Sequence, residues 1–233
     1  MLKSAPMAWK FVLACCAALA LMALPVSAQE ASVSPGINRS YQAADYSRWQ
    51  SAFETEGREV FEQRDRIIDT LAIRPGMTVA DVGAGTGAFA VLLARKVGAG
   101  GTAIAQDVTP EFVRGIEVRA KEQKLPQLKT LLGAYKDARL PAGAVDLVFT
   151  CDTYHHFEYP QAMLASLHAA LKPGGRFVVI DYQRIPGSSS PWVLGHVRAG
   201  RETVIAEIEA AGFALLRSHD FLRENYFLEF TRQ

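Results

Sequence analysis

Residues 79–89 read Val-Ala-Asp-Val-Gly-Ala-Gly-Thr-Gly-Ala-Phe, and this stretch decides the fold. The apolar run Thr78-Val79-Ala80 predicts the end of a buried parallel strand, and Ala88-Phe89-Ala90-Val91-Leu92-Leu93-Ala94 predicts the helix that it feeds. Gly83, Gly85 and Gly87 form the turn between them. A backbone that bends sharply, with positive φ and a ligand against its main chain, needs residues without a Cβ.

Outward from this turn, strand and helix signals alternate. Residues 102–106, 128–132, 145–151 and 177–181 read as strands, and residues 110–124, 160–171 and 202–211 as helices. The alternation predicts an α/β fold, doubly wound, with a mostly parallel sheet covered by helices on both faces. Ahead of it, Trp49, Phe53, Val60, Phe61, Ile67, Ile68 and Leu71 recur at helical spacing, with Gly57 marking a break. Ligands of such sheets bind at the carboxyl ends of strands, near the point where strand order reverses. Asp81, Asp107 and Cys151-Asp152 all fall at strand ends.

Asp81 bears on what the turn holds. A dinucleotide would bring a pyrophosphate to it and be repelled by the carboxylate, whereas the aminium and sulfonium of S-adenosylmethionine would be attracted. The spacing Gly-x-Gly-x-Gly agrees with the sulfonium compound. A nicotinamide fingerprint is read less directly from Gly83, Gly85 and Ala88, with Asp107 at the distance of a ribose contact.

From about Arg48 to its C-terminus the chain resembles the class I S-adenosylmethionine-dependent methyltransferases, whose first motif runs as an acidic residue, one residue, then Gly-x-Gly-x-Gly. The resemblance implies a seven-stranded sheet, with residues 213–218 and 226–232 as a closing hairpin that supplies its one antiparallel strand. It implies that Gly83, Gly85 and Gly87 lie along the methionine part of the cofactor, that Asp81 contacts its amino group through water, and that Asp107 holds the ribose hydroxyls. Asp152 is expected beside the cofactor. Thr109 is expected to cap the helix that opens with Pro110. Lys172-Pro173-Gly174-Gly175-Arg176 matches the family's turn into its fifth strand. Where many relatives carry Gly-Asp-Ala, this chain has a longer segment from Gly133 to Pro141, and Asp137 is the acid expected to take over the adenine contact. Helices ahead of the first strand, with Trp49, Phe53 and Arg58, are expected to close over the cofactor.

The loop Cys151-Asp152-Thr153-Tyr154-His155-His156-Phe157-Glu158-Tyr159 is expected to face the transferable methyl. His155 or His156 would act there as general base toward an oxygen or nitrogen nucleophile. Tyr154, Trp192 and Arg198 are expected to contact the acceptor, with residues 184–201 roofing it. The rings of Phe89, Tyr154 or Trp49 suit contact with the sulfonium. No metal is expected: Asp152, His155, His156, Glu158 and Asp181 are ligand types, but adjacent histidines in an extended loop point apart, and zinc-like spacing is absent. The Asn/Asp-Pro-Pro-Tyr signature is also absent, which argues against amino groups of bases or glutamine as acceptors. A small-molecule acceptor, methylated by in-line displacement, is the resulting expectation. A nicotinamide-dependent oxidoreductase and a noncatalytic exported binding module are the rival readings.

At 233 residues and 49% hydrophobic composition, the chain is long enough for one sizeable domain, expected over residues 47–233. Lys3 and Lys10, an apolar run of 14 residues from Phe11 to Leu24, and Val26-Ser27-Ala28 have the layout of a signal peptide over residues 1–28. Export is therefore expected, to the periplasm or beyond, with an uncleaved membrane anchor as the alternative. Residues 29–46 read as a linker or loose arm. Cleavage would leave Cys151 as the single cysteine and a formal charge of −1, from 23 basic and 24 acidic residues, which gives no sign of a nucleic-acid partner.

Overall fold

A computed structural model describes Met1 and residues 30–233. The expected signal peptide over residues 1–28 lies, Met1 aside, outside the described residues. Among the described residues no helix is long and apolar enough to cross a membrane.

Seven strands make one sheet: β1 (Thr78–Val82), β2 (Thr102–Asp107), β3 (Leu128–Leu132), β4 (Val145–Cys151), β5 (Leu171–Tyr182), β6 (Phe213–His219) and β7 (Asn225–Arg232). Their order is β3-β2-β1-β4-β5-β7-β6. The first five run parallel, and β7 runs antiparallel to both β5 and β6. The doubly wound sheet with its antiparallel hairpin is the expected architecture. Strand order reverses between β1 and β4, so a crevice opens where their carboxyl ends diverge.

Helices cover both faces: α1 (Tyr46–Phe53), α2 (Glu59–Glu62), α3 (Arg64–Thr70), α4 (Ala88–Val97), α5 (Pro110–Glu122), α6 (Pro160–Ala170), α7 (Pro191–His196) and α8 (Arg201–Ala210). The central strands are apolar on both sides, as buried parallel strands must be. Leu147, Phe149, Val178 and Ile180 pack into one core with Ile67, Leu93 and Ile116. Val148, Phe177 and Val179 pack into the other with Leu164, Ile208 and Phe230. A shift of register between Val145 and Leu147 turns Val145 into the second core, against strict alternation along the strand.

Three local expectations are corrected. Residues Lys172-Pro173-Gly174-Gly175 lie inside the bounds of β5 rather than before it. Pairing jumps there from Val145↔Leu171 to Leu147↔Arg176, so these four residues bulge from the ladder, with Gly174 at φ 70°. Thr109 stands at the N-cap of α5, but its side chain makes no capping bond. The part of the expected loose arm that is described is fastened down. Glu30 accepts hydrogen bonds from the backbone N–H groups of Gln161 and Ala162 (both 2.9 Å), filling the role that no local side chain fills at the start of α6. Asn38 donates to the His156 carbonyl and to Glu158, and the Val33 N–H donates to the Glu158 carbonyl. Distant carboxylates and amides gave no local periodicity by which to recognise this.

The glycine turn is forced by geometry. Gly83 sits at φ 72°, and a Cβ there would stand 2.1 Å from Cγ2 of Thr153. Gly87, at φ 79°, caps α4, and its Cβ would stand 2.9 Å from Ile116 on α5. Gly83→Ala is expected to lower stability by about 1–3 kcal/mol through strained φ and overpacking. Adding Thr153→Ser removes the methyl and is expected to recover part of that loss, read from urea midpoints. Complete recovery would mean that the backbone angle costs nothing.

Candidate active site

The carboxyl ends of β1, β2 and β4 open into one cavity of about 560 Å³, a size typical of small-molecule sites. Its floor is the turn from Gly83 to Thr86, with Asp81 on one side and Asp107 on the other. Asp81 is buried, and its Oδ2 has no hydrogen-bond partner. Burial, then the charge of Asp107, push its pKa up to about 8. Asp107 accepts from the Gly85 N–H through Oδ2 and from the Thr109 N–H through Oδ1 (both 2.9 Å). Burial raises its pKa to about 6 against those bonds. Each of its oxygens keeps a lone pair for a further donor.

Aromatic rings roof the turn. Tyr41 lies 4.8 Å from Trp49 between ring centroids, Trp49 lies 5.1 Å from Phe53, and Tyr41 and Phe53 lie 6.0 and 6.3 Å from Phe112. A Cβ at Gly85 would come within 3.2 Å of the Phe53 ring. The roof is tied to the floor: Arg119 on α5 grips both carboxylate oxygens of Glu54 and donates to the Thr86 carbonyl, to which Tyr46 also donates. The expected cover, Trp49, Phe53 and Arg58, thus lines the same cavity as the glycine turn. Phe89 lines it too, packed on Phe149 at 5.1 Å.

Asp152 lines the wall at φ 50°, a conformation that aspartate tolerates. Its carboxylate bonds Arg58 Nη2 and Asn225 Nδ2 (both 2.6 Å). This joins the segment before α2, the end of β4 and the start of β7. Burial raises the Asp152 pKa, with Arg58 acting in the opposite sense.

A second wall is made of histidines. The expectation that His155 and His156 point apart is corrected: Tyr154–His156 form a tight 3-10 turn that brings the two rings to 4.2 Å between centroids. His196, from α7, meets them edge-on at 5.1 and 5.2 Å. Trp192 stacks on His196 at 4.6 Å. Asp181, at the end of β5, anchors the turn by accepting from the His155 N–H (2.9 Å), while its other oxygen pairs with His155 Nδ1 (2.7 Å). A carboxylate only accepts, so in the neutral ring Nδ1 carries the proton and Nε2 presents a lone pair. Burial would lower the His155 pKa, but the charge and hydrogen bond of Asp181 outweigh it and leave the pKa raised. Burial, then His155 and His196, push His156 down to about 2, so its ring is neutral.

The structure therefore gathers Asp81, Gly83, Gly85, Asp107, Asp152, His155, His156 and Trp192 around one cavity. Gly87 lies outside the lining and serves the packing of α4 on α5. Asp137 is separate: it is exposed, outside the lining, and accepts from the Arg139 N–H (2.7 Å). Tyr135 lines the cavity from that segment instead. Tyr154 and Arg198 are also separate. Tyr154 is fully buried, its hydroxyl donates to Glu207 (2.8 Å), and Arg198 grips the same carboxylate with two bonds (2.7 and 2.8 Å). Both are taken up by Glu207 on α8. His196 was read only as part of the segment 184–201 expected to roof the acceptor; its contact with the histidine pair, the place of Tyr41 and the anchoring role of Asp181 were not read from the sequence.

The acidic β1 end without a partner, the glycine turn and the second acid at the end of β2 all fall within one matched stretch of the chain. Residues 80–179 match the methyltransferase domain family. Nocamycin O-methyltransferase of Saccharothrix syringae is 31% identical over 183 residues, 76% of this chain and 65% of that protein. The ubiquinone/menaquinone biosynthesis C-methyltransferase UbiE of Ruegeria sp. (strain TM1040) is 27% identical over 53% of this chain and 49% of its own length. The chain thus spans less than two thirds of the length of these curated relatives. A crystal structure of a SAM dependent methyltransferase from Aquifex aeolicus superposes with a TM-score of 0.71, at 24% identity, over 81% of this chain and 98% of that one. These are similarities to class I S-adenosylmethionine-dependent methyltransferases, and the pocket residues fit S-adenosylmethionine. The oxidoreductase and noncatalytic readings find no support among them.

Proposed function

We propose that this protein transfers a methyl group from S-adenosylmethionine to a hydroxyl of a small-molecule acceptor. One observation carries the reading: the unpartnered Asp81 Oδ2 beside a glycine turn that lines the cavity. A buried carboxylate without a partner is costly, and a cationic ligand relieves that cost. The cofactor supplies an electrophilic methyl on positive sulfur. Asp81 would hold its ammonium, Asp107 its ribose hydroxyls, and the rings of Tyr41, Trp49 and Phe53 would exclude water above it. The acceptor would stand between the glycine turn and the histidine wall, its hydroxyl meeting His155 Nε2, whose orientation Asp181 fixes. The acceptor's O–CH₃ bond would form as the S–CH₃ bond breaks, the electron pair of the broken bond staying on sulfur and the hydroxyl proton passing to His155 Nε2. Alignment supplies much of the acceleration in such a displacement. Transfer to oxygen is favoured by the histidine wall and by a relative named as an O-methyltransferase.

Isothermal titration tests the cofactor half. S-adenosylhomocysteine is expected to bind saturably at one site and NAD not at all; uptake of NAD alone would overturn the reading. A metabolite screen for gains of one methyl mass tests the other half. Trp192, 55% exposed at the mouth beside His196, is expected to matter to the acceptor alone. Trp192→Ala should raise the acceptor KM about tenfold with cofactor affinity unchanged.

A further inference from the structure

The histidine wall has a property that methyl transfer by alignment does not require. His155, His156 and His196 each offer a ring nitrogen, and the three nitrogens lie within 4.8 Å of one another. Two ring nitrogens of this wall, His155 Nε2 and His156 Nδ1, are buried with no hydrogen-bond partner. Buried polar atoms are rarely left so. His155 is 4% exposed, and its other nitrogen is committed to Asp181. This is the carboxylate–histidine arrangement that fixes the tautomer of a metal ligand and raises its basicity.

We propose that His155, His156 and His196 bind one divalent transition-metal ion, with zinc as the best fit to an all-imidazole set. Tetrahedral coordination at ~2.0–2.1 Å needs ligand nitrogens about 3.3 Å apart, so the rings close by at most about 1.5 Å. Two ligands come from a tight turn held by Asp181 and Asn38. The third comes from the C-terminal end of α7, which is pinned there by Arg184, donating to the Leu194 and Val197 carbonyls. Three protein nitrogens leave a fourth position open to the cavity that all three histidines line. An oxygen donor is the class of ligand that position takes. In that role, which rests on the methyl-transfer reading, the ion replaces direct contact between His155 and the acceptor hydroxyl, and favours acceptors that reach it through oxygen.

The test is a zinc titration of the chelator-treated full chain, beside His156→Ala and His196→Ala, with S-adenosylhomocysteine affinity measured on the same samples. The wild type is expected to take up one equivalent of zinc, and each variant to bind it about 100-fold or more weakly. Substituted cobalt should give the intense visible bands of a four-coordinate ion without sulfur charge transfer, which excludes Cys15, Cys16 and Cys151 as ligands. His196 lies on the short α7, so its variant reports on the metal even if the turn at His156 does not tolerate change. Zinc uptake that is absent, or equal in wild type and both variants, would overturn the site. Retained S-adenosylhomocysteine binding in that case would leave the methyl-transfer reading intact. Zinc uptake lost in both variants, with no S-adenosylhomocysteine binding in any sample, would uphold the metal site and overturn methyl transfer.

Discussion

Asp81→Asn is expected to abolish useful cofactor binding while making the protein harder to unfold. Burial and the neighbouring Asp107 hold Asp81 at about 8 in the folded chain, far above the ordinary carboxylate value of ~3.9 in an unfolded one. The folded state therefore binds the proton more tightly. The stability contribution is fully present below ~3.9 and is lost progressively as pH rises through about 8. Asparagine cannot ionise, so its advantage grows over that window and then levels off. At about 1.4 kcal/mol per pKa unit over the roughly three units between ~3.9 and neutral pH, the gain is on the order of 4 kcal/mol. Binding moves the other way, because the ammonium loses its only buried counter-charge on β1, and truncating such a pair costs roughly 2–5 kcal/mol. A loss of two to three orders of magnitude in S-adenosylhomocysteine affinity should accompany a higher urea midpoint. Titration in buffers of different ionisation enthalpy should also show about one proton released per ligand bound at pH 7 by the wild type, and none by the variant. Normal affinity in the variant would remove the foundation of the proposed function.

The second large effect is expected at Asp181. Its carboxylate, 1% exposed, accepts from the N–H groups of His155 and Tyr182 and pairs with the His155 ring. Asp181→Ala strands all three donors in the buried interior, at a cost of about 3–5 kcal/mol, and should lower the thermal midpoint by roughly 10 °C. Asp181→Asn keeps the volume and one acceptor, so it should fold with a smaller loss. Asn can no longer hold the proton on Nδ1 through a charged acceptor. The turnover rate with a hydroxyl acceptor is then expected to fall by about 100-fold or more, with little change in cofactor affinity. Asp181 would thus be a positioning residue. A purely structural role predicts instead that kcat of the folded fraction of Asp181→Asn equals that of the wild type.

The glycine turn could be read from the sequence because each of its requirements is local: a positive φ, a close approach, and an acid two residues before the first glycine. The sheet was legible for a related reason, since buried parallel strands must be apolar throughout and their helices must repeat at 3.6. What escaped reading depends on contacts across the chain. Asp181 ends a strand next to β4, and the rule that ligands gather at strand ends near the switch point would have singled it out. His196 sits in a Pro-, Gly- and Ser-rich segment with no periodic signal. The Arg58, Asp152 and Asn225 cluster joins residues 94 and 73 positions apart. Tyr154 and Arg198 looked like acceptor contacts by type, yet Glu207, a residue of an ordinary amphipathic helix, claims both. Asp137 kept its place in sequence while the longer segment around it turned its carboxylate outward.

The fastening of residues 30–41 carries a practical corollary. Glu30 closes the start of α6, Asn38 holds the backbone of His156, and the Tyr41 ring touches that histidine at 5.3 Å between centroids. Whatever is joined just upstream, whether a purification tag, a fusion partner or an anchoring segment, therefore pulls on the acceptor wall itself. Recombinant versions trimmed to begin at residue 47 would lose Ile37, Asn38, Ser40 and Tyr41 from the cavity lining, and a lack of turnover in such material would say nothing against the proposed function.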